Sequence, residues 1–108
     1  AGNGLDLADG VLCDDHLAAV GAEGVYVVGD AARFPNARFD GVARRVEHWN
    51  VAIETARRAA AAIVAHLDGG STLPTPFQMM PTFWSNQYDL RLQAYGMPRL
   101  ADSIVPFD

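Results

Sequence analysis

The chain has 108 residues, a net charge of −5, half of its residues apolar and 19% charged. That length bounds it to one ordinary domain or parts of two, and the balance suits a globular piece with a modest core, not a disordered tail. All eight cations are Arg; an acidic chain is a poor candidate for sequence-independent nucleic-acid binding, which needs cations to displace phosphate counterions.

A local basic patch is left open at Arg33, Arg38, Arg44 and Arg45. The single cysteine, Cys13, cannot form an intramolecular disulfide and reads as a small buried thiol. No CxxC or Cys/His cluster suggests a metal. The longest apolar run, Ala59 to Ala65, is too short to span a bilayer, and no charged-then-apolar leader opens the chain. No membrane partner and a cytoplasmic setting are the expectations.

In chain order, Leu5 and Leu7, then Val11 and Leu12, read as two short strands around the turn pair Asp9-Gly10. Asp14, Asp15 and His16 form a polar break. Val25 to Val28 is a continuous β-branched and aromatic run, which predicts a strand buried on both faces as in a parallel sheet. Residues 31 to 43 carry Pro35, Asn36, Asp40 and Gly41 and read as a loop.

Val46, Trp49, Ile53, Ala56, Ala60, Ile63 and Leu67 then recur at helical spacing and predict a helix from about Arg45 to Leu67, stopped by Asp68-Gly69-Gly70. Glu54 and Arg58 stand at i,i+4 in the favourable order. Residues 69 to 76 read as a linker. Leu90 to Tyr95 alternates as a half-buried strand, with Phe83 to Tyr88 as its partner and Gly96 and Pro98 as its end.

Three places could carry chemistry. A strand ending in Gly29-Asp30 puts a carboxylate at the edge of a sheet where ligands bind in open α/β folds. Gly29 lets a ligand come close because it has no Cβ, and Asp30 can accept hydrogen bonds from sugar or ribityl hydroxyls. An Asp that only caps the following turn is the alternative. The second place is the helix start, whose free N–H groups favour negative charge. Glu47, His48 and Trp49 stand there, although Trp49 as plain core and His48 as a surface histidine stay open. The third is Phe83-Trp84-Ser85-Asn86-Gln87, a flat apolar face beside polar groups that suits a ring cofactor or an aromatic core strand.

The order of the motifs adds a resemblance. Residues 24 to 34 (GVYVVGDAARF), 45 to 52 (RVEHWNVA) and 81 to 90 (PTFWSNQYDL) resemble, in turn, the second flavin-binding motif, the following helix start and the opening of the C-terminal domain of the FAD-dependent NAD(P)H–ferredoxin reductases. These are the putidaredoxin reductase and rubredoxin reductase family of the pyridine nucleotide–disulfide oxidoreductase superfamily. The resemblance covers nearly the whole chain and weakens after Leu100.

It implies an α/β fold with an appended α+β piece. Residues 1–68 would end an FAD-binding domain, 69–76 would link, and 77–108 would begin the reductase C-terminal domain. It also implies that Asp30 binds the ribityl-phosphate part of FAD, that Trp49 lies near the isoalloxazine with Glu47 near it or the nicotinamide, and that Trp84 approaches the flavin from the C-terminal domain.

The family has no catalytic acid–base pair. Hydride passes from NAD(P)H to the flavin, and electrons leave singly to a ferredoxin or rubredoxin-type iron–sulfur protein serving an oxygenase. The protein supplies orientation and electrostatics. The Arg33 to Arg45 patch is the candidate surface for an acidic partner; a homodimer is left open.

No G-x-G-x-x-G occurs in the chain, whereas the family has two such fingerprints. The expectation is a C-terminal fragment with an incomplete FAD site, inactive alone. Two alternatives remain: another FAD/NAD(P) enzyme of the disulfide-reductase superfamily, or an interaction and structural module without catalysis.

Overall fold

The computed structural model describes residues 4–70 and 75–107. Its elements are β1 (Val11–Leu12), a 3₁₀ turn at Gly29–Ala31, β2 (Ala32–Phe34), β3 (Arg44–Arg45), helix α1 (Trp49–Leu67), β4 (Thr82–Gln87), β5 (Leu90–Tyr95) and a 3₁₀ turn at Pro98–Leu100. β1, β2 and β3 form a small mixed sheet in that order. β1 runs parallel to β2, with Val11 opposite Ala32, and β2 runs antiparallel to β3, with Phe34 opposite Arg44. β4 and β5 form a separate antiparallel hairpin, from Thr82 opposite Tyr95 to Gln87 opposite Leu90.

Several expectations are corrected. Val25 to Val28 is not a buried strand: Val25 and Val28 are exposed, and the run makes only an isolated bridge from Tyr26 to Ala18. The strand comes a few residues later, at Ala32 to Phe34, inside the segment read as a loop. Alternation there is short but decisive, since Ala32 and Phe34 point into the core while Arg33 reaches out to Asp6. Leu5 to Leu7 do not form a strand; that stretch lies beside β1 through the Leu12 N–H, which donates to the Asp6 carbonyl.

α1 begins at Trp49, four residues later than expected, because Arg44 and Arg45 are held extended against β2 and His48 still has extended dihedrals. Its end at Leu67 agrees with the expectation, and Gly70 N–H closes the last turn on the Ala65 and His66 carbonyls. The buried stripe is Val51, Thr55, Ala59 and Ala62. The expected stripe is rotated outward: Trp49, Ile53, Ile63 and Leu67 are exposed. α1 carries apolar residues on two faces, and small side chains are what its neighbours accept.

Glu54 pairs with Arg57 at 2.7 Å, not with Arg58. Arg58 instead donates to the Asp15 and Thr75 carbonyls and lies over the Phe77 ring. The β4–β5 pair forms as expected, but Leu90 and Leu92 are exposed, so β5 is not half-buried.

The core gathers Cys13, Leu17, Ala32, Phe34, Val51, Ala59, Phe77 and Met79. Phe34 and Phe77 rings meet at 5.5 Å. Residues 77–82 therefore lie as a strap across the sheet and helix. Asn36 pins it by donating to the Met79 carbonyl at 2.9 Å and accepting the Met79 N–H at 3.3 Å. Asn50 does the same with the Met80 carbonyl and the Thr82 N–H. Of the expected linker, residues 71–74 lie outside the described residues, as do residues 1–3 and 108 of the two expected domains.

Candidate functional site

Gly29 has φ +64, and a Cβ built on it would stand 3.5 Å from the Ala52 Cβ. The Gly29–Ala31 turn thus touches the second turn's start of α1. Its amide is received by Thr55, whose Oγ1 accepts the Gly29 N–H at 2.9 Å and donates to the Val51 carbonyl at 2.6 Å. Asp30 follows as an exposed residue.

Arg45, at the end of β3, joins three segments. Its Nε donates to Asp9 at 2.8 Å, its Nη1 pairs with Glu47, and the same Nη1 lies 3.4 Å from the Asp30 carbonyl. The chain just before α1 is thereby tied to the Asp30 turn and to the Asp9-Gly10 turn. His48 caps α1 through its backbone carbonyl only, with no side-chain cap bond. Its ring lies 4.8 Å from that of Phe83, and its buried Nδ1 has no hydrogen-bond partner among the described residues.

A cleft of about 750 Å³ opens beside this helix start. One wall is Asp9 and Arg44 to His48; the other is Phe83 and Gly96 to Leu100. Of the residues singled out from sequence, Glu47 and His48 line the cleft, and Gly29 and Asp30 adjoin it through Arg45. Trp49 is 73% exposed and does not line it. Trp84 also stands outside, under the Arg91 guanidinium at 6.0 Å. Phe83 takes the cleft side instead, because neighbouring strand residues point to opposite faces; period-2 reading of β4 could have found it.

Three arginines of the expected basic patch are neutralised by carboxylates. Arg33 pairs with Asp6 at 2.5 Å, Arg44 with Asp40 at 2.5 Å, and Arg45 with Asp9 and Glu47. Arg44 holds the Asp40 carboxyl down at about 2, and Asp6 is lowered by the Ala8 N–H and by Arg33. Of the expected basic patch, only Arg38 has no ion pair among the described residues. On the cleft rim, Arg99 has none either. Asp14, Asp15 and His16 bring ligand-type atoms within 4.8 Å, but Asp14 is engaged by the His16 and Ala18 amides, so the polar break is a side-chain-bonded turn.

No family model matches the chain. It is 38% identical over 104 residues, 96% of its length, to the ferredoxin reductase subunit of a 5,5′-dehydrodivanillate O-demethylase from Sphingobium sp., of which it covers 22%. It is 46% identical over 72 residues, 67% of its length, to a peroxisomal monodehydroascorbate reductase of Oryza sativa, of which it covers 14%. Among solved structures it superposes on Fdr9 with a TM-score of 0.82 and 35% identity, over 97% of this chain and 26% of that one.

Fold and relatives together match the chain to a segment of ferredoxin and monodehydroascorbate reductases. Its homologues at 32–38% identity are named ferredoxin reductases, and the chain spans about a quarter or less of the length of these relatives. No helix among the described residues is long and apolar enough to cross a membrane.

Proposed function

We propose that this chain forms part of an FAD-dependent NAD(P)H–ferredoxin reductase and contributes one side of the flavin site. The observation that carries the reading is the packing of the Gly29-Asp30 turn on the first turns of α1, tied by Arg45 to the wall of an open cleft. Three features suit a flavin. Gly29, buried at φ +64, packs against Ala52 of α1 and so holds the Asp30 turn beside the helix start. The α1 start has no side-chain cap, which leaves N–H groups to favour negative charge. The buried Nδ1 of His48 lacks a hydrogen-bond partner among the described residues.

FAD, when bound, supplies a hydride acceptor that passes electrons on one at a time. The chain's own residues bind and orient. Asp30 accepts hydrogen bonds from the cofactor's hydroxyl-bearing chain. Glu47, fixed by Arg45, stands at the ring or nicotinamide end. The α1 N-terminus would favour negative charge on a bound flavin ring. Trp49 and Trp84 stand outside the cleft, so any contact they make with the cofactor would be at its rim.

Residues 1–68 would then end the FAD-binding domain and residues 77–108 begin the C-terminal domain. By themselves the 108 residues do not oxidise NAD(P)H, because they include no glycine fingerprint for a pyrophosphate. The electron acceptor is a ferredoxin-type iron–sulfur protein serving an oxygenase.

A second reading, with a small organic acceptor, is favoured by the 46% match to a monodehydroascorbate reductase. The longer match to a ferredoxin reductase subunit weighs toward the iron–sulfur protein. Purifying the full-length protein tests the reading: it is expected to be yellow, to release flavin on boiling and to reduce a ferredoxin with NAD(P)H. A colourless protein would overturn it. Equal rates with a ferredoxin absent and an organic radical present would favour the second acceptor.

A further inference from the structure

We propose that Thr55 is a positioning residue for the cofactor site: its hydroxyl fixes the Gly29–Ala31 turn on α1 and so sets where the Asp30 carboxylate stands. The inference rests on Asp30 being a flavin ligand, as proposed above.

Thr55 is an unusual choice on chemical grounds. It is fully buried in a stripe otherwise made of Val51, Ala59 and Ala62. A hydroxyl there is costly unless bonded, a β-branched residue is a weak helix former, and Val would fill the same shape. The hydroxyl is fully used: it donates to Val51 within the helix and accepts the Gly29 N–H, 26 residues earlier in the chain. The residue before the turn, Val28, offers no side-chain cap bond.

Asp30 depends on that tie. Among the described residues its carboxylate makes no hydrogen bond, and its backbone carbonyl meets only the long contact from Arg45. Its place is therefore set by the backbone turn. A binding group must be held to within about 0.5 Å of its productive position. The Thr55–Gly29 bond is the buried contact that does so from the helix side.

The test uses the full-length protein and three measurements: FAD dissociation by fluorescence, the melting temperature of the apoprotein, and exchange of the Gly29 amide proton. Thr55→Val is expected to weaken FAD binding roughly 3- to 10-fold, the worth of one hydrogen bond, while Thr55→Ser stays within about twofold of the parent. The Gly29 amide is expected to exchange faster in the valine variant only. A merely structural role would move the melting temperature of both variants without separating their FAD affinities.

Full FAD affinity in Thr55→Val, or equal losses in Val and Ser, would overturn the assignment alone. A parent that carries no flavin overturns the cofactor reading and the assignment with it. If Thr55→Val does not fold, the parent decides: a Gly29 amide protected more strongly once FAD is bound supports the role, and an unprotected amide sinks it.

Discussion

Gly10 shows how one residue can hold a site without touching a ligand. Its φ is +74, and a Cβ there would come within 2.8 Å of both the Ala31 carbonyl oxygen and the Arg45 Cδ. Gly10→Ala is expected to destabilise the fold by about 1–3 kcal/mol, from the backbone conformation alone before any clash, as read by urea unfolding. Because the clash pushes on Arg45, the same change should also loosen Glu47.

Cys13 is a contrasting case, a thiol that packs but does not react. It is 2% exposed, and burial pushes its thiol above the ordinary range, with Asp14 adding to the effect. The thiolate is the reactive form. Labelling by a disulfide reagent at neutral pH is therefore expected to wait on opening of the fold, and to become rapid in denaturing urea. Immediate labelling of the folded protein would contradict the buried placement.

At the scale of elements, the strap of residues 77–82 depends on two asparagines. Asn36→Ala leaves the Met79 carbonyl and N–H without their side-chain partner in a buried place. The expected loss is about 2–4 kcal/mol, with the Phe77 ring drawn out of its contact with Phe34. Asn36→Asp should recover part of it, since the carboxylate can still accept the Met79 N–H.

None of this was visible in the sequence, where Asn36 looked like a turn former. What could be read was local. The end of α1 followed from Asp68-Gly69-Gly70, and the hairpin followed from alternation. What failed was non-local. The faces of α1 cannot be ranked by periodicity when both are apolar, and the choice of Val51, Thr55 and Ala59 over Trp49, Ile53 and Ile63 is made by what packs opposite. Likewise the run Val25 to Val28 has the composition of a central strand, yet Ala32 to Phe34 takes the place beside β1. Gly29-Asp30 and the helix start at Glu47 and His48 were each singled out from local chemistry, and only the resemblance to the reductases joined them; their ties through Arg45 and Thr55 were not legible.

At the scale of the whole molecule, the radius of gyration is 16.0 Å and the extents are 53 × 32 × 29 Å, against about 13 Å for a compact domain of 100 residues. The hairpin projects, and large apolar side chains stand in solvent: Leu67 is 77% exposed, Ile104 89% and Phe107 94%. Large apolar side chains left in water favour association. The 108 residues expressed alone are expected to bind an apolar fluorescent dye and to self-associate at high concentration. A strict monomer that leaves the dye dark would contradict that.

The strap also bears on the order of assembly. Asn36 and Met79 are 43 residues apart, whereas β4 and β5 are joined by a two-residue turn. Contacts so distant along the chain close late, after local ones have formed. On the ribosome, the side of the core that Phe77 and Met79 will cover stays wet until that stretch has been made. A stall in translation between α1 and residue 79 would therefore leave a sticky nascent chain for chaperones to shield.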